Sequence, residues 1–265
     1  LTSRNFQFGK LTDRVGPFHE SPDAWGQLGD KLVKRIGVPV MFYGTAYGGS
    51  NILQNWQVVT GQERTQLPPG VTDKTSRQPF LPLEVVMQHY VPKTGVRGIL
   101  VEHGYNDRGT PISTFVERFK TVFDYVRNTY SKPNLALVIV QEELTLVPHS
   151  LADPETAKGL QQIIQTYPNT WKGVDFNGTW WQGYHTSSGQ DHLYGAAIDQ
   201  FAIDWDAALT DAFFNSSYAY LPTDNPDVFP LVLYNAPTSA LMPLDWVRLF
   251  ATAVVCVLVF IKKKK

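Results

Sequence analysis

The chain has little of several features that mark specialised classes of protein. Among its 265 residues there is a single cysteine, Cys256, so no disulfide framework can form within the chain. Its formal net charge is −1, and no basic stripe occurs outside four lysines at the end. No Cys/His cluster has zinc spacing, and there is no phosphate loop of the Walker type. These absences argue against a disulfide scaffold, a metal site and a nucleic-acid partner.

The chain also lacks an apolar run of the length that spans a membrane as a helix. Residues 249–261 form an uncharged, mostly apolar run of thirteen residues that precedes the four lysines, whereas a spanning helix needs about 20. The Val-rich composition of this run also suits a β-strand. We interpret residues 221–265 as an irregular C-terminal tail with a short apolar segment. It is either a membrane or sorting tail, which would be the only membrane contact, or the truncated or frame-altered end of a following β-domain.

The beginning of the chain lacks the marks of a native N-terminus. The first residue is Leu1 rather than methionine, and no charged stretch followed by an apolar one forms a signal peptide. We therefore expect the true N-terminus to lie upstream.

The remaining composition is that of a folded α/β domain. Apolar residues make up 43% and charged residues 18%, as in soluble globular proteins, and the length suits one domain with an appendage. Short, wholly apolar segments alternate with amphipathic ones, which predicts a parallel sheet covered on both faces. The predicted strands are 38–43, 96–101 and 135–140, and the predicted helices are 25–36, 83–90, 114–130, 155–166 and 193–214.

Polar residues follow the predicted strand 96–101 at the point where it ends, in the sequence Gly104-Tyr105-Asn106-Asp107. Ligands of an open parallel sheet bind outside the carboxyl ends of its strands. An Asn amide there can donate to an oxyanion, which contributes a few kcal/mol to acyl transfer. The alternative is an ordinary turn in which Asn106 and Asp107 cap the next helix.

A glycine-rich turn follows the strand 38–43 in the same way. The backbone N–H groups of Gly48 and Gly49 can bind an oxyanion at the start of a helix, although tight helix–strand packing also explains these glycines. Ser50 stands on a strand–turn–helix and is a second candidate, as a nucleophile, but the elbow spacing is incomplete.

A third stretch, "GYHTSSGQDHLYGAAIDQFAIDW", places His192 just before a predicted helix. A histidine there can act as the general base for a serine, and His185 is its competitor. Trp180 can either stack on a sugar ring or pack within a loop.

The order of these three stretches resembles the SGNH (GDSL-like) hydrolases, in particular the branch of sialate O-acetylesterases and related bacterial carbohydrate esterases. "WGQLGDKLVKRIGVPVMFYGTAYGGSNILQNW" is similar to the family's helix–strand–"GGT/S" segment. "GVRGILVEHGYND" is similar to its "GVRAVLWHQGEND"-type strand and turn, and "QDHLYGAAIDQFAIDWDAAL" to its final histidine block. The similarity runs from about residue 24 to residue 217.

The resemblance implies a three-layer α/β/α sandwich with a mostly parallel, flavodoxin-like sheet over residues 1–220. It implies an extracellular or cell-envelope enzyme that removes O-acetyl groups from sugars without metal or organic cofactor. Its acetylated carbohydrate substrate would be the partner. The resemblance implies that His192 is the general base and that Asn106 and the backbone of Gly48 or Gly49 are the oxyanion donors. We also expect Tyr105 and Trp180 to contact the substrate, although Tyr105 stands where the family commonly has Glu.

Two departures from the family pattern shape the expectation. No Gly-Asp-Ser block precedes residue 24, so we expect the nucleophilic serine to lie upstream of Leu1 and this chain to be inactive alone. The position of the usual Asp holds Gly189, and Asp191, which is adjacent to His192, does not readily reach its Nδ1. The acid of the triad is therefore Asp191, Asp107 or Glu102, or a backbone carbonyl orients His192 instead. The alternative function is a non-catalytic carbohydrate-binding or surface-display module on a degenerate SGNH scaffold.

Overall fold

The chain folds into one five-stranded sheet with helices packed on both of its faces. The structure, a computed structural model, describes residues 24–141, 154–176, 196–223 and the strand 254–260. The strands are β1 (Val40–Gly44), β2 (Gly98–Glu102), β3 (Ala136–Gln141), β4 (Thr170–Asp175) and β5 (Val254–Phe260).

The spatial order of the strands is β1-β5-β2-β3-β4. β2 pairs with β3 and β3 with β4 in parallel, whereas β5 is antiparallel to both β1 and β2. It follows that β1 runs in the same direction as β2. The predicted α/β class is confirmed: β2, β3 and β4 form a parallel three-stranded unit, and the antiparallel β5 separates this unit from β1.

End signals in the sequence set the limits of two of the helices. α1 ends at Gly37, whose φ of +69° is the left-handed conformation that glycine adopts easily. α2 begins after Asn51, whose side chain accepts the N–H of Gln54 in a capping box. The helices are α1 (Trp25–Ile36), α2 (Ile52–Thr60), α3 (Leu81–Val85), α4 (Val91–Thr94), α5 (Ile112–Thr129), α6 (Pro154–Thr166), α7 (Ala196–Ala208) and α8 (Asp211–Ser216).

Two hydrophobic cores lie on opposite faces of the sheet. Successive side chains of a strand point to opposite faces, so Ile99 and Val101 of β2 enter one core and Leu100 the other. The first core also holds apolar side chains from α2 to α6, and the second those of α1, α7 and α8. The helices thus form one layer on each face of the sheet.

Several elements differ from the sequence prediction or were left open by it. The predicted helix 83–90 is divided, because α3 ends at Val85, Val86–Tyr90 is a π-helix, and α4 follows. β4 was not predicted; it pairs only with β3 among the described strands, and its burial is mixed rather than continuous. The predicted helix 193–214 is divided after α7, because Thr210 takes a β conformation and caps α8 through the N–H of Phe213. The Val-rich run of the tail forms β5. No helix in the described part of the chain is long and apolar enough to cross a membrane.

Candidate functional site

Two turns leave the sheet at the same edge. β1 and β2 run in the same direction, so their carboxyl ends, Gly44 and Glu102, lie at the same edge of the sheet. One strand separates them. β5 occupies that position, with Cys256 opposite Gly44 and Val254 opposite Glu102. In doubly wound sheets the crevice outside the carboxyl ends of the strands is where ligands bind.

The first turn runs from Gly44 to the start of α2. Gly49 has a φ of +71°, a conformation that a residue with a Cβ adopts only at a cost. The N–H of Ser50 donates to the carbonyl of Tyr47 at 3.2 Å, and the Tyr47 hydroxyl donates to the carbonyl of Pro69 at 2.9 Å. These bonds hold the two glycines, each half-buried, in a defined turn.

The second turn is the short 3-10 helix Tyr105–Asp107. Gly104 starts it with a φ of +140° and a ψ of −32°, which favours glycine at that position. The N–H of Asp107 donates to the carbonyl of Gly104 at 2.9 Å, and the N–H of Thr110 donates to that of Asp107 at 3.0 Å. The backbone therefore doubles back directly after β2.

Adjacent side chains of the second turn bind the backbone of the first. The Asn106 Nδ2 donates to the carbonyl of Ser50 at 3.2 Å. The Oδ1 of Asp107 accepts the backbone N–H of Ile52 at 2.8 Å. The sequence analysis predicted Gly48, Gly49 and Asn106 as parts of one site, and the structure brings their two turns into direct contact.

A buried histidine that sequence reasoning did not assign to the site lies behind this contact. The Nε2 of His103 is 3.3 Å from the Oδ2 of Asp107, and the two side chains are only 5% and 2% exposed. Burial lowers the pKa of His103 to about 4, because charging an imidazole away from water is unfavourable. His103 is therefore neutral at pH 7. Its position at the end of a buried strand was the only sequence signal.

The outer face of the second turn carries an aromatic and a cationic group. The guanidinium carbon of Arg108 lies 3.7 Å from the centre of the Tyr105 ring, a cation–π contact. Both side chains are half-buried. Tyr105, a predicted substrate contact, thus lies next to the predicted oxyanion donor Asn106 and stacks on Arg108.

The other predicted site residues are either buried in this region or outside the described residues. Ser50 is 3% exposed and contributes its carbonyl to the contact between the turns. His192, Asp191 and Trp180 lie outside the described residues, so their roles stay predictions. Within the part of the chain that the structure describes, no group of three His, Cys, Asp or Glu side chains is arranged to hold a metal ion.

The chemistry available at this edge is the donation of hydrogen bonds to a developing negative charge. An Asn amide and the N–H groups of a glycine turn are the donors that oxyanion holes use. Comparison of the chain with protein-family models, with curated proteins and with solved structures gives no match.

Proposed function

We propose that the protein is a carbohydrate esterase-like hydrolase that removes O-acetyl groups from sugars by serine/histidine acyl transfer. One observation carries this proposal: the hydrogen bond from Asn106 to Ser50 joins the turn after β1 to the turn after β2 at one edge of the sheet. That contact brings the Asn106 amide to the residue that follows Gly49, which supports the pairing of oxyanion donors that the SGNH resemblance implies.

The oxyanion donors in this proposal are the Asn106 amide and the backbone N–H of Gly48 or Gly49. Neither glycine N–H donates a hydrogen bond to another residue within the described ranges. The Asn106 amide donates to the carbonyl of Ser50 at 3.2 Å, and this bond holds the side chain next to the glycine turn. Loss of one such donor typically costs a factor of about 10² to 10³ in kcat.

The order of strands supports a nucleophile from outside the described residues. A flavodoxin-like sheet has the order 2-1-3-4-5, with the first strand of the chain at the position where the order reverses. The four parallel strands here match strands 2, 3, 4 and 5 of that order, and antiparallel β5 stands in the remaining place. We propose that a parallel strand from a segment preceding α1 takes this place in the active enzyme and carries the serine.

The reaction then runs in two steps. The serine oxygen attacks the acetyl carbonyl carbon while His192 takes the hydroxyl proton, and the oxyanion is held by Asn106 and the glycine turn. The ester C–O bond breaks, and the sugar oxygen leaves with the proton from His192. Water, deprotonated by His192, hydrolyses the acetyl-serine, which releases acetate and restores the serine.

The test compares the 265-residue chain with a chain extended by the residues encoded before Leu1. We expect the shorter chain to be inactive on p-nitrophenyl acetate and on acetylated sugars, and the extended chain to hydrolyse both. His192→Ala should abolish this activity, and Asn106→Ala should lower kcat by a factor of about 10² to 10³. Asn134→Ala, an exposed Asn before the amino end of β3, is the matched control and should leave the activity unchanged.

Activity of the shorter chain that Ser50→Ala abolishes would show that the nucleophile lies in the described turn. Such a result would overturn the proposed external serine.

A second function is carbohydrate binding without turnover. It is favoured by the bond that Asn106 already makes to Ser50 and by the stack of Tyr105 and Arg108. An Asn106 amide that keeps its bond to Ser50 contributes less to an oxyanion, and the Tyr105–Arg108 stack offers a flat surface for a sugar ring. Titration of the extended chain with an acetylated glycan separates the two functions. Binding with no acetate released would select the binding module.

A further inference from the structure

The buried carboxylate of Asp107 joins parts of the chain that are far apart in sequence. It accepts the N–H of Ile52, a residue 55 positions away, at 2.8 Å. Ile52 is the first residue of α2, where an N–H has no acceptor within the helix. The helix cap Asn51 binds the N–H of Gln54 instead. Asp107 therefore provides α2 with a second N-terminal cap, from another loop.

We propose that Asp107 is a positioning residue that sets the distance between the Asn106 amide and the Gly48–Gly49 turn. This inference rests on the proposed function, because it concerns the oxyanion donors of that reaction. Asp107 holds the second turn against α2 and need not touch the substrate to do so.

The geometry of two neighbouring bonds supports this role. Residue 106 binds residue 50, and residue 107 binds residue 52, so that the two turns are joined at two points. A single hydrogen bond leaves one turn able to rotate about that bond relative to the other. Two bonds from consecutive residues remove this rotation and fix the direction of the Asn106 amide.

Groups from several parts of the fold surround Asp107. His103 lies 3.3 Å from Oδ2, on the side of the carboxylate away from the atom that binds Ile52. The hydroxyl of Thr156, which is buried on α6, lies 3.5 Å from the Asp107 carbonyl. The partial positive charge at the N-terminus of α2 attracts the Asp107 carboxylate. Groups from the turn after β2, from α2 and from α6 thus lie around this one residue.

The first test is an NMR measurement on the 265-residue chain, and it does not depend on activity. In Asp107→Ala we expect the Ile52 amide to exchange with solvent about tenfold to a hundredfold faster. The resonances of the Asn106 side-chain amide and of the Gly48 and Gly49 amides should shift. Asp107→Asn keeps an acceptor oxygen and should give smaller changes in the same signals.

The matched control is Thr210→Ala, because Thr210 accepts the N–H of Phe213 at the start of α8 in the same kind of bond. It should accelerate exchange at Phe213 and leave the signals of Gly48, Gly49 and Asn106 unchanged. If Asp107→Ala accelerates exchange at Ile52 but leaves the signals of Gly48, Gly49 and Asn106 unchanged, Asp107 is only a helix cap. That result would overturn the proposal. If Asp107→Ala does not fold, Asp107→Asn and His103→Gln must each shift the Asn106 signal, and failure of both would overturn it equally.

The second test uses the extended chain. Asp107→Ala should lower kcat for p-nitrophenyl acetate by a factor of about 10 to 100 with little change in KM, Asp107→Asn should restore part of the loss, and Thr210→Ala should retain full activity. Equal activity of Asp107→Ala and the parent would overturn the positioning role. An inactive parent chain contradicts the proposed esterase, while the NMR measurement still decides whether Asp107 positions the two turns.

Discussion

The two sides of β2 are built in different ways. Towards β3 and β4, each strand is followed by one helix and then by the next parallel strand, so neighbours in space are neighbours along the chain. Towards β1, the neighbour of β2 is β5, an antiparallel strand that the chain reaches only after residue 253. The regular side is determined by local hydrophobic patterns. The other side depends on pairing between segments far apart, and it carries the candidate site.

The largest expected effect lies on the regular side. Phe119 of α5 is fully buried, and its ring centre is 4.7 Å from that of Phe123. Phe119→Ala leaves a cavity, so we expect it to lower the free energy of unfolding by about 3–5 kcal/mol. Urea unfolding followed by circular dichroism measures this loss. Val33→Ala, at an exposed position of α1, is the control and should change stability by under about 1 kcal/mol. A Phe119→Ala loss as small as the control's would contradict the described core.

A proline in β5 tests the irregular side. Val257 is paired with Tyr43 on one side and Ile99 on the other. Because proline has no N–H for the ladder, Val257→Pro should cost about 3 kcal/mol in the same unfolding experiment. Val257→Ala keeps the N–H and should cost less. Wild-type stability of the proline variant would show that β5 is not a central strand.

The pH dependence of stability tests the pair behind the site. The folded chain keeps His103 neutral down to its pKa of about 4, whereas the unfolded chain protonates it below about pH 6.5. The unfolded state therefore binds the extra proton, and His103 lowers stability as the pH falls from about 6.5 to about 4, by about 3 kcal/mol in total. His103→Gln removes this contribution, so the free energy of unfolding should fall less for the variant than for the parent as the pH falls. Unfolding curves measured at pH 7 and pH 4.5 that shift equally for both proteins would contradict the buried, neutral imidazole.

The smallest expected effect is on the outer surface of the second turn. Arg108→Ala removes the contact with the Tyr105 ring, and half-exposed cation–π pairs contribute about 0.5–1 kcal/mol. Thermal unfolding should detect a shift of a few degrees at most. Arg118→Ala, which removes a looser contact with Trp56 at 5.7 Å, is the control and should have less effect. A loss of several kcal/mol in Arg108→Ala would mean that the stack holds the turn together.

The sequence predicts the regular side well for a physical reason. The apolar period of α5 places Phe115, Phe119 and Val126 on one face, and all three are fully buried. The continuous apolar strands β2 and β3 are equally clear. β4 escaped prediction because a strand with mixed burial carries a weaker signal. The division between α7 and α8 depends on one cap, that of Thr210.

The site could be predicted in position but not in its internal contacts. Parallel strands deliver their carboxyl ends to one edge, so the meeting of the Gly48–Gly49 turn with Asn106 follows from the sheet alone. The bond between Asp107 and Ile52 joins two loops. Their relative position depends on how α2 packs against α5, which the sequence pattern does not specify. The place of β5 between β1 and β2 could not be foreseen, since a Val-rich run fits many pairings.

A crystal structure of the extended chain after reaction with an alkylphosphonate ester tests the proposed oxyanion hole, because the phosphonyl oxygen mimics the oxyanion. We expect this oxygen about 3 Å from the Asn106 Nδ2 and from the N–H of Gly48 or Gly49, with the His192 ring beside the modified serine. A phosphonyl group bound away from both turns, or a His192 ring more than about 10 Å from the Asn106 amide and so beyond any hydrogen-bond reach, would contradict it.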